Sequence, residues 1–169
     1  MKYVCIAIHS TAQCKYWNFP NGWTEIVKYL NSRGYVVKHI SKEYGTYMDN
    51  APPEGVEDCT GKSIPETMTL LKNSELFIGI SSGLSWLSWG VGTPTVIISG
   101  FSAPFCEPKK GVERVFNPNV CNSCFNDHSI QFDPGDWNWC PRGKDFECSK
   151  SITPEMVIES INNIFEKKN

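Results

Sequence analysis

The last four cysteines of the chain, Cys121, Cys124, Cys140 and Cys148, crowd into one stretch, whereas Cys5, Cys14, Cys59 and Cys106 are scattered. Cys121-Asn-Ser-Cys124 is a CxxC knuckle whose turn can aim two thiolates at one point. With Cys140 and Cys148 it supplies four soft ligands, a set suited to a tetrahedral S4 site for zinc or a single iron. A zinc ribbon would close with a second CxxC, and here the last gap is longer. Two disulfides are the competing reading, and an exported chain would favour them. Met1 instead leads into an apolar-rich segment with one lysine and no small-residue cleavage site. No signal peptide is read there, so a metal in a cytoplasmic protein is the preferred expectation. A redox CxxC fits less well, because Cys121 does not sit between the strand and helix of a thioredoxin-like unit. Asp127 and His128 follow the knuckle and could replace one sulfur, though such residues are more often simply exposed.

The turn Gly79-Ile-Ser-Ser-Gly-Leu-Ser-Trp86 carries a second kind of chemistry. A strand ends, small residues turn, and a helix begins, so unpaired N–H groups and the positive end of the helix dipole face outward. Hydroxyls of Ser82 and Ser85 can add donors, and a diphosphate would fit; a serine N-cap packed among glycines is the plain alternative. Lys15, in the loop after the first strand, could neutralise a phosphate, with Thr11 as a further donor. Glu43, after the second strand, occupies the place where α/β nucleotide binders often set an acid toward a ribose. Taken singly, Lys15 and Glu43 read as solvated charges and His9 as a strand-end residue rather than a base. Gly55 to Gly61-Lys62-Ser63 resembles a P-loop but has five residues between its glycines where four are needed, and it follows no strand. Trp86, Trp89, Trp137 and Trp139 read mostly as core or metal-site packing.

The elements that must position these residues follow from periodicity. Lys2–Ile8 reads as a buried strand, and Trp23, Ile26, Val27 and Leu30 repeat at helical spacing until Gly34. Tyr35–Ile40 is a second strand, and 41–62 a loop rich in proline, glycine and acid. Ser63 and Glu66 have the spacing of a capping box, opening a helix expected to bury Met68 and Leu71. Leu76–Ile80 and Thr95–Ser99 are strands flanking a short helix at Leu84–Val91. From Gly100 to Ser151 apolar periodicity is lost, except for a short strand around Arg114–Phe116, and so long a loop needs something to pin it. Thr153-Pro154 opens a last helix with Val157, Ile161, Ile164 and Phe165 on one face. Strand–helix alternation gives an α/β fold with a mostly parallel sheet, whose ligands bind at the carboxyl ends of the strands. The loops His9–Asn21, Ser41–Glu43 and Ser81–Ser85 meet there.

With 169 residues, the chain fits one domain, and its formal net charge of -2 gives no footprint for nucleic acid. Its apolar runs are strand-sized, too short for a membrane span.

Lys15-Tyr-Trp-Asn, Phe77-Ile-Gly-Ile-Ser-Ser-Gly-Leu-Ser-Trp-Leu-Ser-Trp89 and Thr95-Val-Ile-Ile-Ser-Gly-Phe101 resemble the C-terminal half of the autotransporter strand-loop-strand O-heptosyltransferases. The stretch Cys121-Asn-Ser-Cys-Phe-Asn-Asp127, Trp139-Cys-Pro-Arg142 and Phe146-Glu-Cys148 is similar too. That family groups with the lipopolysaccharide heptosyltransferases and has the GT-B fold of two Rossmann-like domains. The resemblance implies that residues 1–169 form one Rossmann-like, donor-binding domain, one half of GT-B, and that Cys121, Cys124, Cys140 and Cys148 hold one iron rather than zinc. It implies ADP-heptose or a similar nucleotide sugar as donor, with Lys15 and Thr11 toward the phosphates, Ser82, Gly83, Leu84 and Ser85 receiving the diphosphate, and Glu43 near the ribose. Ser81 and Trp86 stand where the lipopolysaccharide enzymes have Asp and His, which favours a protein acceptor over a lipid. The family's N-terminal domain, with acceptor site and catalytic base, has no counterpart in these residues. No catalytic residue is therefore assigned, and the chain is expected to be a separated half, a fragment or a relative with a partner. The alternative is a non-catalytic, metal-stapled binding or assembly module. Electron transfer at an iron–S4 centre is a third reading, and a colourless zinc protein would exclude it.

Overall fold

The computed structural model describes residues 1–10, 12–43, 50–131 and 139–168. Six strands, β1 (Tyr3–Ala7), β2 (Val36–His39), β3 (Val56–Asp58), β4 (Phe77–Ile80), β5 (Thr95–Ile98) and β6 (Val112–Val115), form one sheet in the order β3-β2-β1-β4-β5-β6. Every neighbouring pair is parallel, with Tyr3 beside Val36, Cys5 beside Phe77, Phe77 beside Thr95 and Thr95 beside Val112. That order is doubly wound and reverses between β1 and β4, the position where such sheets open a ligand crevice. The expected α/β, Rossmann-like half of a GT-B fold is the fold observed.

Alternation along β1 divides the core in two. Val4, Ile6 and Ile8 face one side, where Ile26, Val27 and Leu30 of α1 (Gly22–Ser32) and Val157, Ile161, Ile164 and Phe165 of α5 (Pro154–Lys167) cover them. Cys5 and Ala7 face the other side, packed with Ile40, Leu71 and Phe77 under α2 (Ile64–Lys72) and α3 (Gly83–Gly90). Period-two alternation between two covered faces is what a buried parallel strand requires. The helix starts hold as expected. Ser63 Oγ accepts the Glu66 N–H at 3.3 Å while Glu66 Oε2 accepts the Ser63 N–H at 2.8 Å. The Met156 N–H likewise donates to Thr153 Oγ1 at 3.3 Å, with Pro154 opening α5.

Four expectations change. β3 lies inside what reads as a loop: with one apolar residue in three, an edge strand of this length carries no periodic signal. α2 buries Thr67 with Leu71, while Met68 is exposed, because the buried stripe falls one position earlier. Trp86, Trp89 and Trp139 are exposed rather than core residues, and Trp137 lies outside the described residues. The large hydrophobic rings buried among the described residues are Tyr16, Trp17, Phe77, Phe101 and Phe165. A further turn of helix, α4 (Glu147–Lys150), sits in the cysteine segment. No helix of the described residues is long and apolar enough to cross a membrane.

Candidate functional site

The carboxyl ends of β1 to β4 surround a cavity of about 580 Å³. His9, Ser10 and Lys15 line it from the loop after β1, Ser41, Lys42 and Glu43 from the end of β2, and Ser82, Gly83 and Leu84 from the start of α3. The three loops expected at the rim therefore meet. Three lysines, Lys15, Lys42 and Lys62, share the lining with the Glu43 carboxylate, a balance that favours a polyanion. Sequence reasoning missed Lys42, Lys62, Ile64, Thr67 and Leu87. Lys62 reaches the cavity because β3 exists and ends just before it. Gly61 is bound to the same rim by its N–H on the Ser41 carbonyl at 2.8 Å, so the segment contributes without being a P-loop.

The start of α3 is built to leave donors available. Ser82 is the N-cap, in extended backbone (φ -155°, ψ 174°), yet its hydroxyl makes no capping bond. Its Oγ is buried and, among the described residues, has no partner. A Cβ on Gly83 would meet nothing within 4 Å, so a ligand can approach that backbone closely. Ser85 behaves differently. Its Oγ donates to the Ile80 carbonyl at 2.6 Å, its N–H donates to the Ser82 carbonyl at 3.2 Å, and it is 1 % exposed. Its hydroxyl braces the strand–helix turn from behind and does not line the cavity. Thr11 lies outside the described residues.

His9 organises the opposite rim. Nε2 lies 2.8 Å from the Asn50 carbonyl, which can only accept, so Nε2 carries the proton there. In the neutral ring Nδ1 then accepts from the Ser41 hydroxyl at 3.1 Å, and Ser41 Oγ in turn accepts the Glu43 N–H at 3.0 Å. His9 is thus a fastener of the strand-end loop that carries Glu43. Its ring meets His39 edge-on at 5.2 Å. His39 is fully buried with both ring nitrogens unpartnered among the described residues, and burial lowers its pKa to about 4, with His9 adding to the effect.

The cysteine segment packs beside the Lys15 loop. Cys14 and Ala12 share a small core with Phe101 and Cys124. The Trp17 Nε1–H donates to the Ile152 carbonyl at 2.8 Å, and Asn18 Nδ2 donates to Ser149 Oγ at 2.9 Å. Ser123 adopts a left-handed backbone (φ 66°) that turns the CxxC. All eight cysteines are free thiols, so the two-disulfide reading finds no support. Among the described residues, however, no three His, Cys, Asp or Glu side chains close into a group able to hold a metal, and the four-sulfur cluster expected from spacing is not assembled. The donor set nevertheless fits a thiophilic metal. Burial pushes the Cys148 thiol up to about 12, and Cys121, Cys124 and Cys140 act on it in the same direction, so the four are electrostatic neighbours. Burial alone would raise Cys140, but N–H groups of Phe146, Lys144, Arg142 and Gly143 turn toward its sulfur and bring it below its usual value. Asp127 is engaged elsewhere: its carboxylate pairs with Arg142 and accepts the Ser129 N–H and hydroxyl.

No protein-family model matches the chain. The autotransporter heptosyltransferase BAHTCr of Citrobacter rodentium is 48% identical over 173 residues, covering 96% of this chain and 41% of the relative. The crystal structure of TibC, an iron-containing dodecameric glycosyltransferase from enterotoxigenic E. coli H10407, matches with a TM-score of 0.91 and 44% identity. The match covers 99% of this chain and 46% of TibC, which has also been solved in complex with ADP-D-beta-D-heptose. Over nearly its whole length the chain is similar to part of the autotransporter heptosyltransferases. It spans less than half the length of the curated relatives it matches. BimC of Burkholderia thailandensis, an inactive autotransporter heptosyltransferase, is 34% identical over 96% of this chain and 40% of its own length. Likeness to the autotransporter heptosyltransferases therefore does not by itself guarantee turnover.

Proposed function

We propose that this chain is the donor-binding part of a glycosyltransferase, holding a nucleoside-diphosphate sugar of the ADP-heptose kind for transfer to a protein hydroxyl. The observation that carries the reading is the convergence, in the β1/β4 crevice, of the Lys15 ammonium, the Ser82 hydroxyl, which has no partner among the described residues, and the N-terminus of α3. In such a transfer the acceptor oxygen bonds to the anomeric carbon while the bond to the diphosphate breaks. Charge grows on the departing phosphate oxygens, and fixed donors aimed at them lower the barrier. Lys15, Ser82 and the backbone at Gly83 would bind the diphosphate, and Glu43, held by Ser41 and His9, would accept from ribose hydroxyls. Thr11 and Ser85 belong to the same proposal, Ser85 through the shape of the turn. Leu84 and Leu87, with Ile64 and Thr67, offer an apolar wall for the base. The catalytic base is not assigned to this chain; a separate N-terminal domain or partner would carry it with the acceptor site.

Cys121, Cys124, Cys140 and Cys148 would hold one metal ion, with iron preferred because TibC contains it. Four sulfurs leave no open position for substrate, so the ion would be structural. Eight cysteines with no disulfide among them suit the cytoplasm. Calorimetry with ADP and ADP-heptose tests the reading. Lys15→Ala is expected to weaken ADP binding by about 1.5–3 kcal/mol, the range of a charged hydrogen bond; unchanged affinity in the variant rejects the assignment. The likeness to an inactive relative favours one second reading, a binding module without turnover. Sugar transfer assayed in the presence of the family's N-terminal domain separates the two.

A further inference from the structure

The Lys15 ammonium lies 5.2 Å from the centre of the Phe125 ring. Phe125 directly follows the CxxC knuckle, in the one-turn 3-10 helix Cys124–Asn126. That turn is strapped to the loop after β5. The Ser123 N–H donates to the Gly100 carbonyl at 2.9 Å, the Phe125 N–H to the Phe101 carbonyl at 3.0 Å, and Asn126 Oδ1 accepts the Ala103 N–H at 2.8 Å. The Phe125 ring leans on Phe101 at 5.8 Å, tilted by 59°, and still stays 41% exposed. The backbone carrying Lys15 is fixed independently, by its own N–H on the Ala12 carbonyl at 3.0 Å and by the ties from Trp17 and Asn18 to Ile152 and Ser149. Two rigid pieces thus bring a cation and an aromatic ring into register at the edge of the cavity.

A lysine carries a flexible four-carbon stem, so its ammonium samples many positions unless something holds it. An aromatic face attracts the ammonium without using up all its N–H groups, leaving donors free for an oxygen anion. We propose that Phe125 is a positioning residue, whose ring holds the Lys15 ammonium where the donor diphosphate docks. The cysteine segment thereby sets the geometry of the phosphate site across the chain. This rests on the nucleotide-sugar reading above. It assigns no chemistry to Phe125 itself; the residue acts through Lys15.

Calorimetry of the full chain with ADP tests this, using Phe125→Ala, Phe125→Leu, Phe125→Tyr and each of the first two combined with Lys15→Ala. Phe125→Ala and Phe125→Leu are expected to weaken ADP about two- to fivefold, the range of an exposed cation–ring pair. Phe125→Tyr restores wild-type affinity, and in the Lys15→Ala background neither loss of the ring has any further effect. Phe125→Leu keeps an apolar side chain of similar bulk, so it decides the matter should Phe125→Ala unfold or lose metal. Wild-type affinity in Phe125→Leu, or an equal loss with and without Lys15, overturns the positioning role. No binding of ADP by the wild type rejects the donor reading itself. Weakening by Lys15→Ala with no effect of Phe125→Leu rejects only the part given to Phe125.

Discussion

Ser82 and Ser85 stand three residues apart in one helical turn, yet their hydroxyls do opposite things. Ser85 closes a buried bond to the Ile80 carbonyl, while Ser82 leaves a buried oxygen unpartnered among the described residues at the cavity. Ser82→Ala is expected to weaken ADP by about 0.5–1.5 kcal/mol and leave the melting temperature unchanged. Ser85→Ala strips a buried carbonyl of its donor and should cost about 1–3 kcal/mol of stability by chemical denaturation, with a smaller effect on ADP. Equal effects of the two on binding would contradict this division. Sequence alone marks both as donors, because the spacing of a helix start does not say which hydroxyl turns inward. Phe125 escaped notice for a related reason: nothing local places residue 125 beside residue 15.

At the scale of elements, the sheet and its flanking helices were legible because β1, β4 and β5 are nearly unbroken apolar runs and α1 and α5 are amphipathic. β3 was not, and with it went Lys62. The cysteine segment reads from its spacing as a four-sulfur metal site, but the described residues do not bring such a group together. Its contact with the sheet depends on Gly100, where an added Cβ would lie 3.0 Å from Cys148 Cβ and 3.1 Å from the Cys148 carbonyl carbon. One of those neighbours is backbone and cannot rotate away. Gly100→Ala is therefore expected to shift α4, lower metal content per chain and lower the melting temperature, with Gly83→Ala as the control whose Cβ meets nothing. Unchanged metal content in Gly100→Ala would show that the contact is slack.

At the scale of the whole molecule, His39 ties stability to pH. Its folded pKa of about 4 lies below the usual value of 6.5 because burial disfavours the charged ring. Between those values the unfolded chain binds a proton that the folded chain refuses, so stability is full above the upper value and falls as pH drops toward the lower one. The loss approaches about 3 kcal/mol. Denaturation of His39→Phe across the same range should show a correspondingly shallower decline, and an identical slope would remove His39 as the cause. The pairing of His9 with His39 makes this visible only in the folded sheet: in sequence each is a lone histidine at the end of a strand.

The bond from Trp17 to Ile152 joins points 135 residues apart. During synthesis the loop bearing Lys15 leaves the ribosome 135 residues ahead of its anchor. Closing such distant pairs is slow because chain entropy must be lost first. A nascent chain should thus gain affinity for ADP abruptly, once that anchor has emerged, which would keep partly made protein from sequestering nucleotide.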